Sequence, residues 1–259
     1  MKNLILIEGL PGTGKTTISK WLSDFLIKQG ESVILLNEGD ERIPCDFYET
    51  AGMPRNEFEL LCSSNPSEQK LLFEMAIRTK SYVFLRIEKC PSHIAEKIKR
   101  WDIGDGSNQA VTAADYIPCA LERLQHWVNA NAEGTETIIM ESGYLQNPIN
   151  ELLFRHATSD EVRRFINAIT EVIKPLNPVC IYLQRDTAEQ AIEFAKSVKG
   201  TGWAERVDGL LKQSGCEDLF QRRFQLEFEL LKNIKNVTCH VHGNNWDDAK
   251  NVIRNYFVL

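Results

Sequence analysis

A glycine-rich segment near the start of the chain constrains the fold more than any other feature. Residues 9–16 read Gly-Leu-Pro-Gly-Thr-Gly-Lys-Thr, which is the pattern G-x-x-x-x-G-K-T. An apolar run at residues 4–7 precedes this segment, and apolar side chains recur after it with helical spacing. The sequence therefore predicts a buried strand that turns through a phosphate-binding loop, the P-loop, into a helix.

Each residue type in this loop has a physical reason to bind a polyphosphate. Glycines let consecutive backbone N–H groups point at one anion, and the N-terminus of the helix adds its dipole. Lys15 can reach the β- and γ-phosphates, and the hydroxyl of Thr16 can ligate Mg²⁺. The loop thus predicts a nucleoside triphosphate site with the contact residues Gly9, Pro11, Gly12, Thr13, Gly14, Lys15, Thr16 and Thr17.

The rest of the chain alternates short apolar runs with long helical patterns. Continuous apolar runs with helices between them favour a parallel sheet that is covered on both faces. We therefore expect one domain over residues 1–259, with a three-layer α/β fold and a five-stranded parallel sheet. The predicted strands are residues 3–8, 32–37, 136–141, 179–184 and 237–241.

Helices are predicted from apolar periodicity and from capping residues. Thr112, Thr158 and Thr187 each precede an acidic or amide side chain by three residues, and Asn65-Pro66 resembles a further helix start. A long, mainly helical stretch separates the second strand from the third, so residues 41–135 are expected to form a helical insert. The predicted helices are 15–32, 66–89, 92–101, 113–131, 146–156, 159–174, 187–199 and 217–234.

Charge, cysteine usage and hydropathy exclude several classes of protein. The formal net charge of −6 argues against a nucleic-acid or anionic-membrane partner. Seven cysteines without a C-x-x-C pair predict reduced thiols rather than a disulfide framework or a zinc site. No signal-peptide pattern occurs, and no apolar run approaches the roughly 20 residues of a membrane span. We therefore expect a cytoplasmic protein.

Motifs beyond the loop separate the classes of nucleotide-binding protein. A guanine-reading N-K-x-D and an L-S-G-G-Q signature are both absent from the sequence. The chain instead resembles the P-loop kinase family of thymidylate and deoxynucleoside kinases. Besides the loop, the resemblance rests on Leu-Leu-Asn-Glu-Gly-Asp at residues 35–40, Ile-Met-Glu-Ser at 139–142, and the strand and helix start at 178–191. It covers residues 1–40 and 136–259, and it is weak between them.

The resemblance implies ATP- and Mg²⁺-dependent phosphoryl transfer to a small-molecule acceptor. In this family an acidic residue after the second strand faces the acceptor, which points to Glu38 or Asp40, with Glu38 favoured. Glu141, at the end of the third strand, would hold Mg²⁺ or position the nucleophile. The alternatives are solvated turn carboxylates at the first position and a structural salt bridge or a helix cap at the second.

The same resemblance implies roles for two further segments. The family places a mobile lid after the fourth strand, where glycines at 200 and 202 lie among cations such as Lys199 and Arg206. Asn245 follows the last strand, where the family contacts adenine. The alternatives are a solvated helix end for the lid residues and an ordinary turn for Asn245. Arg222 and Arg223 are expected to be surface charges.

Two departures from the family pattern favour a hydroxyl acceptor over a phosphorylated one. Ser142 replaces the arginine after Glu141, and Asn37 precedes Glu38 where thymidylate kinases have an arginine. Planar arginines are the normal way to hold a phosphate. The expected acceptor is therefore a nucleoside, a sugar or an antibiotic-like metabolite. The alternatives are a nucleoside-monophosphate kinase, with its clamp restored by Arg42, Arg78, Arg86 or Arg100, and a nucleotide-dependent switch with slow hydrolysis.

The insert is expected to bind the acceptor. Its loop at residues 100–106 mixes charge, indole and glycine, which suits recognition of a small molecule. The candidate acceptor contacts are Asp40, Arg86, Arg100, Trp101 and Tyr144, although most aromatic residues of this region must belong to the core. Related kinases are often dimers, and the helices at 113–131 and 146–174 are candidates for a homodimer interface.

Overall fold

The structure is a computed structural model that describes residues 4–108 and 110–257. The strands are β1 (Leu4–Glu8), β2 (Val33–Leu36), β3 (Thr50–Pro54), β4 (Ile77–Arg78), β5 (Tyr82–Arg86), β6 (Thr137–Glu141), β7 (Pro178–Gln184) and β8 (Asn236–His240). A five-stranded parallel sheet has the strand order β2-β6-β1-β7-β8, and a second, three-stranded sheet has the order β3-β5-β4. The predicted five-stranded parallel α/β sheet is confirmed.

Helices cover both faces of the parallel sheet. The helices are α1 (Lys15–Lys28), α2 (Arg55–Ser63), α3 (Gln69–Met75), α4 (Ser92–Ile98), α5 (Ala113–Asn131), α6 (Gln146–Phe154), α7 (Ser159–Ile173), α8 (Ala188–Lys199), α9 (Thr201–Ser214), α10 (Leu219–Leu230) and α11 (Asp247–Phe257). Isoleucines 5, 7, 139 and 181 pack beneath α1 and α11, while Leu4, Leu6, Ile138 and Met140 pack beneath α5, α7 and α10. This alternation along buried strands produces the three predicted layers.

Sheet register positions the candidate site. In β1 and β6, Ile7 is opposite Glu141, and β2 pairs with β6 so that Leu36 is opposite Met140. The carboxyl ends of β1, β2 and β6 therefore meet at one edge of the sheet. Ligands bind at this edge in open α/β sheets, and the loop after β1, Glu38 and Glu141 all lie there.

The insert differs from the prediction because it contains an antiparallel sheet. The predicted helix at 66–89 is wrong over β4 and β5: only α3 and a short 3₁₀ turn at Ile87–Lys89 are helical there. The buried run Val83-Phe84-Leu85 is rich in side chains that favour strands, and it pairs with β3. Asn65 is also not a cap, because its Nδ2 donates to Leu61 O at 2.6 Å.

The predicted caps elsewhere are confirmed. Thr112 with Asp115, and Thr158 with Glu161, form complete capping boxes at the starts of α5 and α7. The Thr187 hydroxyl accepts from the backbone N–H of Gln190 at the start of α8. Six of the seven cysteines are buried, and all are free thiols. Within residues 4–108 and 110–257, no helix has the length and apolar character needed to cross a bilayer.

Candidate active site

The loop between β1 and α1 adopts a conformation that requires glycine. The φ angles are +137° at Gly9, +81° at Gly12 and +91° at Gly14, a region that other residues rarely adopt. A Cβ on Gly9 would lie 2.2 Å from the carbonyl oxygen of Leu183, and one on Gly14 would lie 1.9 Å from Nε1 of Trp246. That indole N–H donates to the carbonyl of Thr13 at 3.2 Å, so Trp246 packs against the loop and stabilises its conformation.

Gly14→Ala is expected to destabilise the protein by at least about 1–2 kcal/mol, the cost of a left-handed residue that carries a Cβ. The contact with Trp246 adds to this cost because either the indole or the loop has to move. Urea unfolding measures the change. Gly202→Ala is the control: it lies in α9 with space around it, so alanine should be neutral or stabilising there. Equal effects of the two substitutions would contradict the account.

Lys15 lies at the base of the loop and is only 6% exposed. Its Nζ donates to the carbonyls of Gly9 at 3.0 Å and Leu10 at 3.3 Å. Burial lowers the pKa of Lys15, while the nearby carboxylates of Glu38 and Glu141 act in the opposite direction. The lysine therefore presents one cation to the centre of the loop, between two carboxylates.

Thr16 and Glu141 form a pair that fits a magnesium ion. The Thr16 hydroxyl donates to Oε1 of Glu141 at 2.7 Å. The other carboxylate oxygen, Oε2, is buried and has no hydrogen-bond partner in the described part of the chain. Burial raises the pKa of Glu141. A buried carboxylate oxygen without a partner is costly, and a hard cation that prefers oxygen ligands would satisfy it.

Glu38 and Asp40, two residues apart, have different environments. Glu38 lies at the loop, where its Oε1 accepts from Nε2 of Gln146 at 2.7 Å and its Oε2 lies 3.5 Å from the Ser142 hydroxyl. Asp40 instead forms an ion pair with Arg42 at 2.6 Å, which holds the pKa of its carboxyl below the usual value. Of the two candidates, Glu38 alone lines the cleft above the loop.

The cleft above the loop, which we call the active-site cleft after its predicted role, has a volume of about 420 Å³. Its floor is polar and consists of the loop residues 11, 12 and 14–17 with Glu38, Glu141, Gln146 and Asn150. No arginine lines it in residues 4–108 and 110–257. The opposite wall is apolar and comes from α6, α8, α9 and α10, with the side chains Phe154, Phe194, Val198, Trp203, Val207, Leu210, Leu211, Leu219 and Phe220.

The segment that the resemblance predicts as a lid forms a helical hairpin. Gly200 (φ +83°) ends α8, and α9 begins at the next residue. Lys199 lines the cleft, with its ammonium 5.0 Å from the ring centroid of Trp203. Arg206 is exposed on α9 and does not line the cleft. An ion pair between Lys196 and Asp208 at 2.8 Å joins the two helices.

Several predicted contact residues lie away from the cleft. Oδ1 of Asn245 accepts from the backbone N–H of Asp247 at the start of α11, while the neighbouring Asn244 and Trp246 do line the cleft. Tyr144 is buried in the core, and its hydroxyl bonds Thr170 at 2.8 Å.

The insert candidates Arg86, Arg100 and Trp101 also lie elsewhere. Arg100 stacks over the ring of Trp101 and pairs with Glu57 at 2.9 Å, beside α2. Arg86 lines a second cavity, between the parallel sheet and the insert. The structure therefore places these three predicted acceptor contacts outside the cleft that contains the P-loop.

Arg223 was expected at the surface, and this expectation is wrong. Its side chain is fully buried, donates to Oε1 of Glu227 at 2.6 Å, and reaches the loop through the carbonyl of Gly9 at 2.8 Å. It also donates to Oε1 of Gln146 at 3.2 Å, so it connects the residue that holds Glu38 to the interior. Arg223 has helical spacing with Leu219, Leu226 and Leu230, and that periodicity was the signal for burial.

Arg185 is a second cation that sequence reasoning missed. Its guanidinium donates twice to the carbonyl of Gly12 at 3.1 Å and once to that of Gly243 at 2.8 Å. The guanidinium also stacks on Phe194 of α8, 3.8 Å from the ring centroid. It therefore ties the loop to α8 and to the segment after β8.

The burial of Glu8 is expected to make the free energy of unfolding depend on pH. The side chain is fully buried at the end of β1 and accepts from the backbone N–H groups of Tyr144 at 2.7 Å and Gln146 at 3.1 Å. Burial raises the pKa of Glu8 from an ordinary value of 4.5 to about 7. Between these values the folded protein holds a proton that the unfolded chain has lost, so stability falls as pH rises.

From pH 5 to pH 8, Glu8 is expected to cost about 2–3 kcal/mol of unfolding free energy. Glu8→Gln should remove this part of the decline, which urea unfolding at several pH values measures. Glu133→Gln, at an exposed position, should keep the wild-type slope. A Glu8→Gln variant that declines as steeply as wild type would contradict the assignment.

Comparisons with known proteins do not assign a family. No family model matches the sequence, and no curated protein matches it. Among solved structures, the chain is similar to the structure of deoxyadenosine kinase from M. mycoides with bound dATP, at 14% identity and a TM-score of 0.45. The match covers 98% of this chain and 99% of that chain.

Proposed function

We propose that the protein transfers the terminal phosphoryl group of ATP, with Mg²⁺, to a hydroxyl group of a small molecule. The observation that carries this proposal is the composition of one cleft. Loop residues 11, 12 and 14–17, which include Lys15, line it together with the carboxylates Glu38 and Glu141. A nucleotide-binding loop that faces two strand-end carboxylates and an apolar wall has the groups that phosphoryl transfer requires.

Each residue of the cleft would have a role that follows from its position. Backbone N–H groups of the loop and Lys15 would bind the β- and γ-phosphates. Thr16 and Glu141 would hold Mg²⁺, which neutralises charge on the phosphate oxygens when it is bound. Glu38, oriented by Gln146, would accept the proton of the acceptor hydroxyl. Lys199 approaches from the α8–α9 hairpin and would add positive charge above the phosphates.

The lack of arginine in the described lining favours a hydroxyl acceptor over a monophosphate. The four arginines that would restore a phosphate clamp have other contacts. Arg42 and Arg86 pair with Asp40 and Glu88. Arg100 pairs with Glu57, and Arg78 lies over Phe73 at 5.1 Å from the ring centroid. A planar bidentate clamp is the usual device for a phosphate.

The cleft also indicates the shape of the acceptor. Gln146 and Asn150, one helical turn apart on α6, provide amide donors and acceptors beside Glu38. Phe154 continues this face and joins the apolar wall from α9 and α10. A molecule with hydroxyl groups along one side and an apolar face on the other would satisfy both surfaces, as a nucleoside or a partly apolar natural product does.

The test is ADP formation from ATP and Mg²⁺ across a panel of nucleosides, nucleoside monophosphates, sugars and aminoglycosides, with Lys15→Ala as the blank. We expect a hydroxyl compound to raise the rate far above the ATP-only rate, since this class of enzyme hydrolyses ATP slowly without its acceptor. Stimulation by a nucleoside monophosphate with a phosphoanhydride product would replace the proposal by the monophosphate-kinase alternative. ATP binding without stimulation by any acceptor would favour the switch alternative.

A further inference from the structure

A second cavity of about 490 Å³ lies between the edge strand β2 and the insert. It shares no lining residue with the active-site cleft. Its walls come from β2, the start of β6, the segment after β2, the antiparallel sheet and α5. Most of these walls are apolar, with the side chains Ile34, Leu36, Ile43, Phe47, Met75, Ile77, Phe84, Trp127 and Ile138. We call it the insert cavity.

A buried cation faces this apolar space. Arg123 of α5 lines the insert cavity and is only 7% exposed. Its guanidinium lies over the ring of Phe84, 5.8 Å from the centroid. In residues 4–108 and 110–257, it has neither a hydrogen-bond acceptor nor an ion pair. Its titratable neighbour is the thiol of Cys45, whose pKa is raised to about 12 by burial. The thiol is therefore neutral and does not compensate the charge.

Arg86, a second arginine that lines the insert cavity, has one side-chain nitrogen without a hydrogen-bond partner in the part of the chain that the structure describes. Arg86 and Phe84 project from the same face of β5, so Arg86 lies on the side of the strand that Arg123 covers. Its terminal nitrogen pairs with Glu88 at 2.7 Å, but its buried Nε has no partner in the described residues. A buried N–H or guanidinium that lacks an acceptor is unfavourable.

The other charged groups of the cavity already have partners. Lys89 pairs with Glu41 at 2.5 Å, and Arg42 pairs with Asp40 at 2.6 Å. Asp46 accepts from the backbone N–H of Gly39 at 2.8 Å, and burial raises the pKa of its carboxyl. The cavity thus combines apolar walls with one arginine, Arg123, that has no acceptor in the described residues, while its carboxylates Glu41 and Asp46 already have partners.

We propose that the insert cavity binds a small organic anion, an apolar ring that carries one carboxylate or phosphate. The anionic group would accept charge-assisted hydrogen bonds from the guanidinium of Arg123, and Arg86, which also lines the cavity, would add positive charge. The ring would pack among Phe47, Phe84 and Trp127. Phe47 and Phe84 already stack at 6.0 Å, and a flat ligand extends that arrangement. This site does not depend on the reaction proposed for the active-site cleft.

Isoleucine methyl NMR distinguishes the two sites. Ile34, Ile43, Ile77 and Ile138 line the insert cavity, whereas no isoleucine lines the active-site cleft in the described residues. The probes are phenylacetate and phenyl phosphate, with benzyl alcohol as the neutral counterpart. We expect both anions to shift the four δ1-methyl signals in a saturable way, and benzyl alcohol to bind more weakly.

Arg123→Met tests the role of the charge. It keeps the unbranched stem over Phe84, and we expect it to weaken both anions by about tenfold to a hundredfold, as for a lost charge-assisted hydrogen bond. Binding of benzyl alcohol should not weaken. Arg164→Met, at an exposed position of α7, is the control and should bind all three probes as wild type does. Arg123→Lys keeps the charge and should retain part of the affinity.

Two results would overturn the proposal. One is that millimolar anion leaves the four methyl signals unchanged in the wild-type protein. The other is that the anions bind Arg123→Met as tightly as wild type. Methyl signals remote from the cavity, such as Ile181 and Ile253, report whether each variant is folded. If Arg123→Met does not fold, then Arg123→Lys and the ratio of anion to benzyl alcohol affinity in the wild type decide the question.

Discussion

Glu38→Gln is expected to lower kcat by about 10²–10⁴-fold, the usual contribution of a general base. Glutamine is nearly the same size, and its carbonyl oxygen can still accept from Nε2 of Gln146, which holds Glu38 at 2.7 Å in the structure. The substitution therefore removes the basic oxygen while it preserves the packing of the cleft. The KM for ATP should change less than kcat, because the proposed role of Glu38 is at the acceptor hydroxyl, although its charge also acts on Lys15.

Asp40→Asn gives the decisive comparison for that prediction. Sequence alone left Glu38 and Asp40 as alternatives, and the structure pairs Asp40 with Arg42 outside the cleft. We expect Asp40→Asn to keep a kcat close to wild type. Steady-state kinetics on both variants, with the acceptor found in the panel, measure the difference. A large loss in Asp40→Asn with near-normal turnover in Glu38→Gln would reverse the assignment.

Arg223→Met is expected to destabilise the protein by about 3–5 kcal/mol, since it leaves a buried carboxylate without its cation. Arg223 and Glu227 are both fully buried and lie 2.6 Å apart. Oε2 of Glu227 also accepts from the Tyr182 hydroxyl at 2.7 Å. The substitution further removes the donor to the carbonyl of Gly9, so the loop should lose order together with the core.

Urea unfolding of matched variants shows whether the loss of stability is specific to the buried Arg223 or follows from the removal of any arginine. Arg163→Met breaks the ion pair of Arg163 with Glu229 at the surface, and surface pairs contribute little, so its stability should stay near wild type. The double variant Arg223→Met/Glu227→Gln should recover part of the loss, because the second change removes the unpaired charge. An Arg223→Met variant as stable as Arg163→Met would contradict the account.

Local patterns predicted the parallel sheet and the loop well. Continuous apolar runs mark the five strands, because strands that are buried on both faces leave no polar positions. The glycines of residues 9–14 specify a backbone that other residues rarely adopt, and their positive φ angles agree. Capping boxes at Thr112 and Thr158 are local motifs, and both occur as predicted.

Features that depend on tertiary contacts were less predictable. The run Val83-Phe84-Leu85 is compatible with a helix or a strand, and pairing with β3 decides between them. Arg223 was read as a surface charge because arginine is usually exposed, although Glu227 and the Gly9 carbonyl satisfy it inside the core. The position of Arg86 in the insert cavity also depends on how the insert packs against β2, which no local pattern specifies.

Transfer of the γ-phosphoryl group to the acceptor can be followed directly with an isotope label. The protein is incubated with Mg²⁺, the stimulating acceptor and ATP labelled with ¹⁸O in the γ-phosphoryl group, and the products are analysed by mass spectrometry. We expect the labelled phosphoryl group to appear on a hydroxyl oxygen of the acceptor, and Lys15→Ala to abolish this product. Label that appears only in inorganic phosphate, with the acceptor unchanged, would contradict the proposed transfer.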